Sequence, residues 1–249
     1  MVTLADWLAE EPFTLTMSSG FFGFFAHCGM LTVLEDEGLL PKRLSGSSAG
    51  ALVAGAWASG VDAASFAREL RALRRRDFWD PRLGAGLLAG RLFRARLEAT
   101  LGARSFDACR VPLAVSAFEL RGRRTRVLDR GDLAAAIHAS CAVPFLFHPV
   151  VIDRVAMVDG GVADRPGLAG MPRDERLLFH HLASRSSSRL RRTDLEVPRR
   201  EGMLALVIDG LPRLGPFRLE LGPRAFEAAR AATKRALGQP IDGGPIVVS

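Results

Sequence analysis

The sequence predicts an α/β domain, and three observations carry that prediction. Strand-like runs alternate with helical stretches along the chain. Residues 46–50 read Gly-Ser-Ser-Ala-Gly, a G-x-S-x-G pattern between a short apolar approach and a small-residue helical stretch over 51–59. Residues 155–158 form an apolar strand pattern that delivers Asp159-Gly160-Gly161 at its end. With 249 residues the chain can build one large α/β domain or two small ones. It shows no internal repeat and no linker, so one domain over 1–249 is the expectation.

Residues 13–17 (FTLTM) alternate and predict a first strand. A glycine-bearing loop, Ser18-Ser19-Gly20-Phe21-Phe22-Gly23, leads into a helix over about 24–37. Phe24, Cys28, Leu31 and Leu34 would share one face, with Gly38 as the stop. After the serine pattern, residues 61–101 read as helical, with Asp62 as a cap and Phe66, Leu70 and Leu73 turned inward. Arg71, Arg74, Arg75 and Arg76 suit the end of that helix, and a lipid headgroup contact is a second use for them. Residues 78–90 break the pattern and read as a loop, either a mobile apolar cover or a packed connection.

Residues 111–118 and 125–128 predict strands joined by the basic turn 121–124. A short helix over 132–140, capped by Asp132, runs into Ala139-Ser140-Cys141-Ala142-Val143-Pro144-Phe145, where proline imposes a rigid turn. Residues 177–182 and 204–208 predict two more strands, with an exposed Ser- and Arg-rich loop over 184–200 between them. A last helix is expected over 224–237, started by Pro223 and stopped by Gly238 and Pro240.

Composition narrows the function classes. Hydrophobic residues make up 48% and charged residues 24%, the balance of a globular protein. No apolar run approaches bilayer-spanning length. The first residues carry acids and no basic stretch, which argues against a secretory signal. Cys28, Cys109 and Cys141 are scattered and odd in number, as expected in a reducing compartment. The expected location is therefore cytoplasmic, with peripheral contact on membranes. The histidines and cysteines show no metal-ligand spacing, so neither metal nor cofactor is expected. The net charge of +7 favours anionic partners. A phospholipid or membrane surface is one such partner; no tyrosine and no basic–aromatic stripe is present, so nucleic acid is not expected.

Ser48 is the candidate nucleophile. In a strand-turn-helix setting the middle serine sits on a sharp turn, with its hydroxyl lifted from the backbone and a helix N-terminus behind it. Glycines at 46 and 50 would prevent collision with the neighbouring strand and helix. An ordinary Gly/Ser loop is the plain alternative. A serine needs a base in contact. His138, His148, His180 and His181 follow Ser48 but sit in contexts typical of packed histidines. Asp159 stands at a strand end, where open α/β sheets place their ligand crevice. Partial desolvation there would raise its pKa and make it a usable base. A simple Asp-Gly turn is the competing explanation.

Taken in order, Gly20-Phe21-Phe22-Gly23, Gly46-Ser47-Ser48-Ala49-Gly50, the A-S-x-A-x-P block at 139–144 and Asp159-Gly160-Gly161 resemble the patatin-like phospholipase family from about residue 13 to 166. The loop lacks the D-G-G-G-x-[RK]-G form of many members. It is closer to the G-x-G-F-x-G variant of animal-type lipase members, with Ser18 for the first glycine and Phe25 and His27 following. The resemblance implies a three-layer α/β/α fold with a central, mostly parallel sheet. It also implies a Ser48–Asp159 dyad without histidine, and an oxyanion hole built by backbone around Gly20 and Phe21. The N–H of Ala49, next after the nucleophile, is the further oxyanion donor. The implied activity is a serine lipid acyl hydrolase of phospholipase A or lysophospholipase type, working through an acyl-enzyme. A short-chain carboxylesterase or thioesterase, or an idle lipid-binding module, would carry the same motifs. Phe21, Phe22, Phe24 and Phe25 are candidates to line an acyl channel.

Overall fold

The computed structural model describes residues 1–183 and 197–249. Most of the Ser- and Arg-rich loop expected over 184–200 thus lies outside the described residues. The α/β class is as expected: a central, mostly parallel sheet flanked by helices.

Among the described residues nine strands make the sheet. Its core is β1 (Thr14–Met17), β2 (Arg43–Ser47) and β4 (Leu113–Glu119) on one side, and β9 (Leu177–Leu182), β10 (Met203–Ile208) and β11 (Ile246–Val248) on the other. These six run parallel in the order β11-β10-β9-β1-β2-β4. Beyond β4 the direction reverses: β5 (Arg124–Leu128) and β8 (Val155–Asp159) pair with it antiparallel, and β7 (Val150–Ile152) closes the edge. β1 lies between β2 and β9, so the loop leaving β1 emerges beside the end of β2.

Side chains alternate across each strand, and the two faces of the sheet differ. Leu15 and Met17 of β1, Leu44 of β2, Val115 of β4 and Leu206 of β10 join buried residues of all seven described helices in one continuous core. Those helices are α1 (Leu4–Glu10), α2 (Phe24–Asp36), α3 (Ala49–Ala58), α4 (Ala63–Ala72), α5 (Arg91–Thr100), α6 (Leu133–Cys141) and α7 (Gly222–Leu237). On the opposite face, Thr16 and Ser45 donate hydrogen bonds to Gly167 O at 2.9 and 2.6 Å. There the segment 164–171 lies across the strands. Buried Asp164 ties it down, accepting from Gly167 N, Leu168 N, Ala169 N and Ser116 Oγ.

Helix boundaries follow local chemistry. Asp62 caps α4 by accepting from Ser65 N at 2.7 Å, and Asp132 caps α6 by accepting from Ala135 N at 2.8 Å. Each such cap contributes about 1 kcal/mol. Three expectations change. The helical region expected over 61–101, broken at 78–90, holds two helices, and the break begins earlier than expected, because α4 stops at Ala72 and one 3₁₀ turn, Arg75–Asp77, follows. Only Arg71 lies in the last turn of α4; Arg74, Arg75 and Arg76 stand beyond it. The segment 78–90 holds a short strand, β3 (Gly86–Leu88), paired parallel with β6 (Phe145–Phe147). Finally, α2 has no exposed polar face: every residue from Phe25 to Leu34 is buried, since α3, α4 and α7 enclose it.

Candidate active site

The site begins at the junction of β2 and α3. Ser48 caps α3 with φ +52° and ψ −117°, a strained conformation for a residue with a Cβ. The residues two positions before and after it must be glycine. A Cβ on Gly46 would come within 2.5 Å of the Gly50 carbonyl carbon, and one on Gly50 would overlap the Met17 carbonyl oxygen. Both obstacles are backbone, which cannot step aside. The close approach of β1, β2 and α3 that these glycines permit turns the Ser48 hydroxyl out at the strand end.

Ser48 is held from the far side by the A-S-x-A-x-P block. Ser140 Oγ accepts from Ser48 N at 2.9 Å and donates to Ser116 O at 2.7 Å. Cys141 Sγ lies 3.2 Å from Ser48 O. Sequence reading treats this block as a family marker; the structure adds a contact for Ser140. A serine between an alanine and a cysteine gives no sign of that role by itself.

Asp159 ends β8. Antiparallel pairing with β4 sets it opposite Ala117, and its N–H donates to Ala142 O at 2.9 Å. Ser48 Oγ donates to Asp159 Oδ2 at 2.6 Å, and Gly161 N donates to Oδ1 at 2.7 Å. Burial pushes the Asp159 carboxyl up from 3.8 to about 6, while the hydrogen bonds from Ser48 and Gly161 pull it partway back. The Asp-Gly-Gly stretch forms a turn, with one 3₁₀ turn over Gly160–Val162 following Asp159.

None of the histidines contacts Ser48 among the described residues. His138 packs edge-on against Phe93 and Phe147, and His148 Nε2 lies 3.1 Å from Gly86 O. His180 pairs with His27, Nδ1 to Nδ1 at 2.8 Å, while His27 Nε2 sits 2.8 Å from Ser18 O. Burial holds His27 down to about 3, so the ring is neutral. A carbonyl only accepts, so His27 carries its proton on Nε2 and accepts at Nδ1 from His180. His180 Nε2 is then a bare acceptor, in keeping with its having no hydrogen-bond partner. The pair braces the start of the glycine loop from inside.

In that loop Ser18 N donates to His180 O and Ser19 N to Arg165 O. Gly23 N donates to Gly20 O at 2.8 Å, closing a tight turn in which Phe22 takes φ +57°. The N–H groups of Gly20, Phe21 and Ala49 take no partner among the described residues. A Cβ on Gly23 would reach 3.1 Å from Gly20 O, which explains the second glycine.

Ser48 and Ala49 open onto an apolar cavity. Phe22, Phe24, Leu52, Phe66, Leu70, Phe78, Leu97, Leu101 and Phe147 supply its walls, and the Arg96–Glu69 ion pair contributes the main polar groups. Phe21, Phe22 and Phe24 line it as the sequence suggests. Phe25 does not: its ring is buried against Gly222 of α7.

A serine on a strand-to-helix turn, a carboxylate in contact with it and a mostly parallel sheet behind them define the class: an α/β protein with a nucleophile-elbow site. Residues 15–170 match the model of the patatin-like phospholipase family, and the chain belongs to that family. Two relatives described as uncharacterized NTE family proteins, from Mycobacterium bovis and Mycobacterium tuberculosis, are each 30% identical over 155 residues. The match covers 60% of this chain and 42% of theirs, so it spans less than half the length of these relatives. The solved structure of VipD from Legionella pneumophila superposes with a TM-score of 0.67 over 91% of this chain and 67% of its own, at 14% identity. That likeness is one of fold.

Proposed function

We propose that this chain is a serine lipid acyl hydrolase that cleaves acyl esters of lipids through a Ser48–Asp159 dyad. The observation that carries the reading is the 2.6 Å hydrogen bond from Ser48 Oγ to the buried Asp159 carboxylate, at the mouth of an apolar cavity. An isolated serine hydroxyl is a weak nucleophile, and a carboxylate with a pKa near 6 is a base matched to neutral pH.

In the first half-reaction Ser48 Oγ attacks the ester carbonyl carbon and Asp159 takes its proton. The carbonyl oxygen gains the charge and is held by the N–H groups of Gly20, Phe21 and Ala49. One such donor typically contributes about 3 kcal/mol to the barrier reduction. The tetrahedral intermediate collapses, the alcohol or lysolipid leaves with the proton from Asp159, and acyl-Ser48 remains. Water then attacks the acyl group and gives its proton to Asp159. The fatty acid leaves and Ser48 recovers its proton. No metal or cofactor enters this scheme.

The aromatic and aliphatic walls of the cavity support a lipid acyl chain as the group bound beside Ser48. Among the described residues no helix is long and apolar enough to cross a membrane. Both ends of the chain join one structure, since Thr3 pairs with Pro240 and β11 extends the sheet. That supports treating 1–249 as one acyl-hydrolase domain. Labelling with a serine-reactive fluorophosphonate tests the assignment. The expected result is one adduct on Ser48, absent in Ser48→Ala and strongly slowed in Asp159→Asn. No adduct would favour an idle lipid-binding module.

A further inference from the structure

The arginines left over beyond α4 lie beside a half-buried Trp79 and an exposed Phe217 at the rim of the cavity. Arg74, Arg75 and Arg76 line one hollow with Trp79. Arg75 reaches from this turn to the opposite wall, its guanidinium 5.6 Å from the Trp79 ring and 4.9 Å from the Phe217 ring. Trp79 and Phe217 meet edge to face at 5.5 Å. Phe217 is 66% exposed, and Leu83, just past the turn, is 99% exposed. The acids close to the cluster are Asp77, which accepts from Arg74 N and lies 4.0 Å from Arg76 Nε, and Glu220. Against these two acids the three successive arginines leave one positive charge in excess.

The cluster abuts the cavity on two sides. Phe78, next to Trp79, lines the cavity and packs on Phe22 at 5.9 Å. Gly215, two residues before Phe217, stands against Phe21, which lines the cavity while 56% exposed. Cationic heads, an indole and an exposed phenylalanine around one opening suit a charged surface with an apolar layer beneath it.

We propose that Arg74, Arg75, Arg76, Trp79 and Phe217 form a docking surface for anionic phospholipid membranes. The arginines meet the negatively charged headgroups, and Phe217 enters the acyl boundary below them. Docking there presents the cavity mouth to the bilayer. The orientation rests on the proposed hydrolase reading; the binding itself does not. Nucleic acid would satisfy the arginines but would leave Phe217 and Leu83 without an apolar environment, so membrane is the occupant the surface fits.

Vesicle cosedimentation tests this with Ser48→Ala protein, which cannot turn over lipid. Phosphatidylcholine vesicles containing phosphatidylserine should capture the protein, and pure phosphatidylcholine vesicles should not. Each arginine near such a surface contributes about fivefold to partitioning, so Arg75→Ala/Arg76→Ala should bind on the order of 30-fold more weakly. Phe217→Ser should also weaken binding, by an amount that persists at high salt where the arginine effect fades. Melting curves and hydrolysis of a soluble short-chain ester, measured with Ser48 intact, should be unchanged in both variants. Equal capture by neutral vesicles, undiminished capture of the variants, or displacement by duplex DNA at lower charge concentration than by phosphatidylserine would overturn the proposal. Intact ester hydrolysis without vesicle binding would sink the docking surface alone. Vesicle binding with no labelling of Ser48 would sink the hydrolase reading alone.

Discussion

Ser140 Oγ accepts a hydrogen bond from the backbone N–H of Ser48 at 2.9 Å and donates one to Ser116 O at 2.7 Å. The strained backbone of Ser48 is thus pinned by a side chain from α6, some ninety residues further along the chain. Ser140→Ala would leave two groups without this partner, at a cost of about 1–3 kcal/mol. The expected outcome is a lower melting temperature and a reduced kcat on soluble esters, with KM little changed, because acyl binding does not involve Ser140.

The pH profile follows from Asp159. The proposed mechanism requires an ionised Asp159, and burial raises its carboxyl to about 6. Below that value kcat/KM should fall tenfold per pH unit, and above it should reach a plateau, as read from initial rates on a soluble ester across pH.

Stability should respond to the same group in the opposite sense. The folded carboxyl holds its proton up to about 6, whereas the unfolded one releases it near 3.8. Between those values the native state binds more protons, so this contribution falls as pH rises. At neutral pH the buried charge costs about 3 kcal/mol, to order of magnitude. Asp159→Asn should therefore abolish activity yet raise the melting temperature at neutral pH. The gain should vanish below the unfolded carboxylate value.

Gly50→Ala should be among the most damaging small substitutions in the chain. Its Cβ would overlap the Met17 carbonyl, and no rotamer relieves a backbone overlap. Loss of soluble yield or a melting drop equivalent to several kcal/mol is expected. Gly38→Ala is the control: open space surrounds it, and only its φ of +70° is at stake, about 1 kcal/mol.

The cavity wall should set acyl length. Thr100, at the end of α5, lines the cavity. Thr100→Trp should suppress hydrolysis of long-chain esters while short-chain esters retain their rates, as a p-nitrophenyl chain-length series would show.

Much of this site was legible because its chemistry is local. Gly46, Ser48 and Gly50 are dictated by one turn, and Asp159 sits at the end of one apolar strand; each leaves its trace within five residues. The parts that escaped are long-range. Nothing near Ser140 signals that it bonds to Ser48, and nothing near His27 announces His180, 153 positions away. The apolar face read for α2 is in the core, but the rest of the helix is buried too, because α3, α4 and α7 enclose it and leave no solvent side to mark. Strands β3 and β6 are three residues each and exist through pairing with one another, so their periodicity is too short to read.

The most direct test is hydrolysis of a p-nitrophenyl ester series by the native chain, Ser48→Ala and Asp159→Asn. The dyad account predicts turnover by the native chain, with preference for longer acyl groups, and its loss in both variants while each stays folded. Undiminished turnover by Ser48→Ala would contradict the account at its centre.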